Sequence, residues 1–181
     1  YDELGSKVRD VQSDSTRLVM GLKGESGRWD WETALTRSDN RTDFVGSNYI
    51  RNDRWYDGVA DGSINPFAPL TPATIEHLRT THTRSGKSTF TLWDATASTP
   101  IGEWAGGTAY LALGLNLRNE SMSDGIDADS NAGLVENASI RLPISASRRA
   151  QAAYAELSLP LHKTVEAQLA LRHDNFSGVG S

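Results

Sequence analysis

Cysteine is absent from the 181 residues. That removes disulfides, thiolate zinc sites and cysteine nucleophiles together, though it leaves the compartment open. Long apolar runs are missing as well. No stretch approaches the roughly 18–20 residues that a membrane helix needs. Lysine and arginine total 18 against 23 aspartate and glutamate, a net charge of −5. They form no stripe able to neutralise phosphates, which argues against a nucleic-acid partner. The start, Tyr1-Asp2-Glu3-Leu4, lacks the basic residues and apolar core of a signal peptide. Since the chain also stops abruptly after Gly178-Val179-Gly180-Ser181, both termini are expected to be cuts within a longer protein.

What is present is alternation, the mark of strands with two unlike faces. Six segments carry it, each near the roughly 9–11 residues of a tilted membrane strand. From Thr16 to Gly24, Leu18, Met20 and Leu22 oppose Arg17, Val19, Gly21 and Lys23. From Arg28 to Arg37, Trp29, Trp31, Thr33 and Leu35 oppose Asp30, Glu32, Ala34 and Thr36. A less regular segment spans Ser88 to Ser98. In the fourth, Leu111, Leu113, Leu115 and Leu117 oppose Tyr110, Ala112, Gly114, Asn116 and Arg118. In the fifth, Gln151 to Leu161, Ala153, Ala155, Leu157 and Leu159 oppose Tyr154, Glu156 and Ser158. In the sixth, Thr164 to Phe176, Val165, Ala167, Leu169 and Leu171 oppose Glu166, Gln168, Arg172 and Asp174.

The connections alternate too. Short ones are expected at Glu25-Ser26-Gly27, around Gly102 to Gly107, and at His162-Lys163; long ones at Asp39 to Lys87 and Ser121 to Arg149. That is the rhythm of an outer-membrane barrel, with brief periplasmic turns and long extracellular loops. On this reading the leucine and alanine sides face lipid. Glu32, Asn116, Arg118, Glu156, Glu166, Gln168, Arg172 and Asp174 then face the lumen, where water or partners relieve the cost of desolvating charge. Trp29, Trp31 and Trp104 beside the short turns fit one aromatic girdle, and Phe44 and Phe176 the other. Thr71 and Pro72 read as the N-cap and first residue of a short helix through Ile75 and Leu78 to about Thr81. Asp124 to Asn131 reads as a polar, poorly ordered loop.

Several runs resemble the barrel of TonB-dependent receptors. One is Ala153-Tyr154-Ala155-Glu156-Leu157-Ser158-Leu159-Pro160-Leu161, followed by Val165 through Arg172-His173-Asp174-Asn175-Phe176. Leu113-Gly114-Leu115-Asn116-Leu117-Arg118-Asn119-Glu120 is similar to another strand of the family, in which a glutamate is more usual where Asn116 stands. Gly21-Leu22-Lys23-Gly24 before Trp29-Asp30-Trp31, and Asn65-Pro66-Phe67, are further likenesses. The resemblance implies an all-β fold: residues 1–181 form part of an antiparallel transmembrane barrel of roughly 22 strands, with a short helix in an extracellular loop. It also implies an N-terminal plug, energised by TonB, that this chain does not show. Such a receptor sits in the cell outer membrane among its lipids. It imports a scarce ligand of the siderophore, carbohydrate or cobalamin class without catalysis or cofactor, a ferric siderophore being the commonest expectation. The alternatives are a passive porin, a barrel-embedded enzyme, or a soluble β-sandwich binding module. Six strands cannot close around a plugged lumen, so an open sheet with two unpaired edges is expected.

Candidate sites are few. Tyr49, Arg54, Trp55, Tyr56, Asn65 and Phe67 in the longest loop either grip a ligand or pack the loop, and the residues leave both open. Asp127, Asp129 and Asn131 alternate as calcium ligands do, but Ala132 and Ala138 stand where an EF-hand needs glycine and glutamate. A solvated loop is the preferred reading. His77 and His82 lack a third zinc ligand and read as polar loop residues. His162 and His173 read as interfacial. No serine, histidine and acid arrangement is legible. Glu156 and Glu166 could approach across the last hairpin, and pairing with Arg172 or Arg118 is preferred to glycosidase chemistry.

Overall fold

A computed structural model describes residues 2–138 and 140–178; the expected cuts at Tyr1 and Ser181 lie outside the described residues. Six strands form one antiparallel sheet in the order of the chain. They are β1 (Val8–Ser26), β2 (Trp29–Ile50), β3 (Arg79–Trp104), β4 (Gly107–Ile126), β5 (Ile144–His162) and β6 (Val165–Ser177). β1 and β6 are the two ends of that order, so the sheet is not closed. Two-residue turns at Gly27-Arg28, Ala105-Gly106 and Lys163-Thr164 join the hairpins, and the long connections run over 51–78 and 127–143. The alternating rhythm of connections expected from the sequence is therefore present.

The strands are longer than the apolar alternation suggested. β2 continues to Ile50 and β3 begins at Arg79, so the first long connection is shorter than Asp39 to Lys87 at both ends. Asp124 to Ile126 belong to β4 rather than to a loop. The extensions are polar but keep period two. In an extended strand, i and i+2 lie on one face about 6.6 Å apart, which suits an arginine reaching a carboxylate. Arg37 pairs with Asp39 at 2.8 Å and Arg41 with Asp43 at 2.5 Å.

The register of the last hairpin fixes its faces. Ala155 lies opposite Leu171 and Leu157 opposite Leu169; Tyr154 lies opposite Arg172 and Ser158 opposite Gln168. The two sets alternate, as the sequence predicts. Gly114 completes the polar face from β4, because a Cβ there would come 2.0 Å from the Tyr154 ring. Only glycine lets that ring lie flat across the neighbouring strand. Gly106 is required for another reason. Its amide donates to the Pro160 carbonyl at 3.0 Å, and a Cβ would strike the His162 carbonyl oxygen at 2.5 Å.

The chain divides into two compact units. A loop unit comprises Tyr1–Asp14, Asn40–Lys87 and Met122–Ser145; a strand unit comprises Ser15–Asp39, Ser88–Ser121 and Ala146–Ser181. The loop unit holds α1 (Asn52–Ala60), α2 (Pro72–Leu78) and the short α3 (Ala128–Asn131). Thr71 caps α2, its hydroxyl accepting from the Thr74 amide at 3.2 Å, with Pro72 at the first helical position. Helix α2 ends at Leu78, since Arg79 is already extended. Helix α1 was not anticipated. Its N-cap, Arg51, makes no side-chain cap, so the usual signal is missing. No helix among the described residues is long and apolar enough to cross a membrane.

Candidate functional site

The polar face of the strand unit is the first candidate. Lys23, Glu25, Asp30, Glu32, Tyr154 and Glu156 line a cleft of about 660 Å³, and Asn116, Arg118, Arg172 and Asp174 line a second of about 140 Å³. Arg172 clamps Asp174 through two hydrogen bonds of 2.8 and 2.9 Å and lies 5.8 Å over the Tyr154 ring. Arg118 reaches Glu120 at 3.2 Å, and Glu120 is also held by Arg148. Glu166 accepts from Ser158 at 2.5 Å and from Gln168 at 3.5 Å. The Asn116 amide turns to the Leu115 carbonyl at 3.1 Å.

The arginines thus take other partners than those expected, and neither Glu156 nor Glu166 pairs with them. Glu156 sits opposite Ala170 while Glu166 sits opposite Pro160. Four residues along a strand separate these levels, about 13 Å, too far for a retaining carboxylate pair. Phe176 lies opposite Ala150, and so on the face of Asp174 and Arg172 rather than with the leucines. Phe44 packs edge-on against His82 at 5.3 Å inside the loop unit. Neither phenylalanine joins a girdle on the apolar face.

The loop unit is the second candidate, and it separates the six aromatic and polar candidates. Tyr49 is 3% exposed. It packs against His82 with ring centroids 5.7 Å apart, and Lys7 lies 4.8 Å over its ring. Arg54 donates to the His77 carbonyl at 2.6 Å, and Trp55 is half-buried. Tyr56 and Phe67 are exposed, Phe67 at 96%. The Asn65 side chain accepts from the Phe67 amide at 2.9 Å, an Asx turn that holds this aromatic outward. Tyr49 is thus a core residue of the loops, whereas Tyr56 and Phe67 present surface.

Asp124 to Asn131 is ordered, contrary to the expectation from its polarity. The Asp127 carboxylate caps α3 through the Ser130 amide at 2.8 Å and accepts from the Thr83 amide at 2.8 Å. Burial pushes this carboxyl up, but those amides, the Ser130 hydroxyl and His82 outweigh it and hold the acid below its ordinary range. Asp129 is spent on Arg51 at 2.5 Å, and Arg51 also holds Asp53 at 2.8 Å. Both Asp127 oxygens and one Asp129 oxygen are thus committed to protein donors, whereas Asn131 Oδ1 is buried without a hydrogen-bond partner among the described residues. Among the described residues no group of three or more histidine, aspartate or glutamate side chains is placed to hold a metal.

One arrangement was invisible in the sequence. His82 Nδ1 lies 2.8 Å from Ser130 Oγ and 3.4 Å from Asp127 Oδ2, and Ser130 Oγ donates to Asp127 at 2.7 Å. A nucleophilic triad places serine and acid on opposite ring nitrogens. Here both meet Nδ1, and Ser130 is fully buried. The trio fastens α3 to β3. Arg51 plays a similar part and was also overlooked. Its amide donates to the Leu78 carbonyl at the end of α2, the Asn52 amide donates to the Leu134 carbonyl, and the Glu136 amide donates to the Ile50 carbonyl. The two long connections are thereby joined within one unit. The spacing Arg51-Asn52-Asp53, like Arg37-Ser38-Asp39 and Arg41-Thr42-Asp43, is the signal that could have found it.

No protein-family model matches the chain, and no curated protein matches it.

Proposed function

We propose that this chain is wall and outer loops of a larger outer-membrane barrel of the TonB-dependent receptor kind, serving energised import of a scarce nutrient. One observation carries the reading: a single-layer sheet with an apolar face and a charged face, neither of them covered. Leu18, Met20, Leu22, Leu115, Leu169 and Leu171 are all exposed, Leu171 at 76%. In water such a face aggregates or finds a partner; lipid tails cover it without one. The opposite face, with Glu32, Glu156, Gln168 and Arg172, suits a hydrated or plugged lumen. The folded loops, with Tyr56 and Phe67 outward, suit capture of a ligand of the siderophore, carbohydrate or cobalamin class. The likeness of the strand sequences to that family adds the plug and TonB as partners.

The test uses the full-length protein in native outer membranes. This chain has no cysteine, and with any cysteine elsewhere in the full-length protein first replaced by serine, Leu115→Cys and Glu156→Cys report one position each. Leu115→Cys is expected to react only with a lipid-soluble maleimide, and Glu156→Cys with a small water-soluble one. Equal aqueous reactivity at both positions overturns the membrane reading. Uptake of a radiolabelled ferric siderophore panel that persists after collapse of the proton-motive force overturns the energised receptor and leaves a passive pore.

A further inference from the structure

Within the loop unit, residues 4–7 and residues 127–136 hang on the same two stretches of chain. These are 48–52, where β2 ends, and 79–83, where β3 begins. The Leu4 carbonyl accepts from the Arg79 guanidinium at 3.2 Å, and the Ser6 carbonyl from the Asn48 amide group at 2.8 Å. Asn48 takes a φ of 63°, a left-handed bend that asparagine tolerates. Lys7 lies over the Tyr49 ring, and Leu4 itself is buried.

Residues 127–136 use the neighbours of those same groups. Val135 forms an isolated antiparallel bridge with Arg51, and the Asn52 side chain donates to the Gly133 carbonyl at 3.1 Å. Asp129 takes the Arg51 guanidinium at 2.5 Å. The Asp127 amide donates to the Thr83 carbonyl at 3.0 Å, and its carboxylate accepts from the Thr83 amide at 2.8 Å. Tyr49, which meets Lys7, also meets His82, and His82 meets Ser130. Helix α3 has four residues, far below the roughly 12–15 at which a helix holds itself. The order of both segments is therefore borrowed from 48–52 and 79–83. Release of those two stretches removes the partners of both segments at once, which is the condition for cooperative opening.

We infer that residues 4–7, the connection 51–78 and residues 127–136 are a coupling device that opens and closes as one body, with Tyr49 and Arg51 as its clasps. Contact made at one of the three, such as at Tyr56 or Phe67, is then felt at the other two. The inference goes beyond the import reading and fails separately from it, because it holds whatever covers the leucine face.

The test is amide exchange of the full-length protein read by mass spectrometry, joined to thiol labelling of Leu4→Cys after any cysteine elsewhere is replaced by serine. Arg51→Gln loses the charged hydrogen bonds to Asp129 and Asp53 and should speed exchange at Asn52 and Glu136 about tenfold. In one body, Thr83 and Asp127 speed up by the same factor. Leu4→Cys, combined with Arg51→Gln, then reacts with a water-soluble maleimide faster by that factor too. The reverse perturbation is Leu4→Ala, which empties a buried site and should speed Asn52, Asp127 and Glu136 together by more than about tenfold. Amides of β5 and β6 should keep their wild-type protection in both variants. Faster exchange at Asn52 and Glu136 with wild-type rates at Thr83, Asp127 and Leu4→Cys would show connections that open independently and overturns the device. So does Leu4→Ala with no effect on residues 127–136. Should Arg51→Gln release β5 and β6 as well, Leu4→Ala decides alone.

Discussion

The two units of this chain use similar residues in opposite ways. In the loop unit, Leu4, Tyr49, Ile50, Ile64, Leu78 and Val135 are all buried, Leu78 completely. In the strand unit, Leu113, Leu115, Leu117, Leu169 and Leu171 are all exposed. Both sets are aliphatic or aromatic, and both belong to well-formed elements. The difference is cover. The loop unit buries these large side chains within itself; the strand unit buries small ones such as Ala109, Ala150 and Ala152 but leaves its leucines bare. On the proposed reading, the contrast fits two surroundings, water for the loops and an external apolar phase for the strands.

The largest effect that could break this contrast lies in the buried cluster. Leu78→Ala is expected to cost about 2–5 kcal/mol, the transfer loss plus an unfilled cavity. The cost should fall on the loop unit, with amide exchange of Asn52, Asp127 and Glu136 accelerated while that of β5 and β6 amides is retained. Loss of exchange protection in both units at once would show that the two surroundings are not separately stabilised.

Next comes the bare face. Leu115→Arg places a charge where lipid is expected and should lower stability in bilayers by about 2–4 kcal/mol. Glu156→Arg, on the polar face, should cost far less. Refolding titrations into lipid vesicles measure both, and equal penalties would erase the distinction between the faces.

The strand unit was largely legible in the sequence and the loop unit was not, for a physical reason. A sheet with unlike environments on its two sides writes its period directly into the residues, as Leu111 to Leu117 and Val165 to Leu171 show. Even the two-residue turns follow, through Gly27 and Gly106. The loop unit is held by contacts distant in sequence, such as His82 with Ser130 and Arg51 with Asp129. No window of neighbouring residues contains them. Polarity misled the reading of Asp124 to Asn131, because carboxylates that cap amides look in sequence like carboxylates that face water. Among the candidate residues, the polar-face set was read from alternation and shares one face in β4, β5 and β6. The aromatic set was read from proximity in the chain and is scattered between core and surface.

A smaller effect probes the fastening itself. Ser130→Ala leaves the His82 and Asp127 groups without their shared hydroxyl, and a buried polar group left unpaired costs about 1–3 kcal/mol. Thermal unfolding of the loop unit, followed by exchange at Thr83, is expected to shift accordingly. A wild-type profile would mean that water replaces the hydroxyl and that α3 is not fastened by this trio.

The smallest effect is a dependence on pH. Burial raises the Asp127 carboxyl, but the Thr83 and Ser130 amides, the Ser130 hydroxyl and His82 lower it more. Its acidity in the folded loop unit is therefore greater than in the unfolded chain. A depressed carboxylate contributes stability that is fully present above its unfolded pKa, about 4, and is lost as pH falls through the lower folded value. Protection of the Thr83 and Ser130 amides should thus hold constant from neutrality down to the ordinary carboxylate range and decline below it. Asp127→Asn should remove most of that decline while keeping an acceptor for the cap. Strand-unit amides in β5 and β6 should not follow the Asp127 titration. If Asp127→Asn leaves the acid decline of the loop unit intact, the carboxylate is not what joins α3 to β3, and the decline belongs to other depressed carboxylates of that unit, such as Asp53 held by Arg51 and Asp124 held by Arg84.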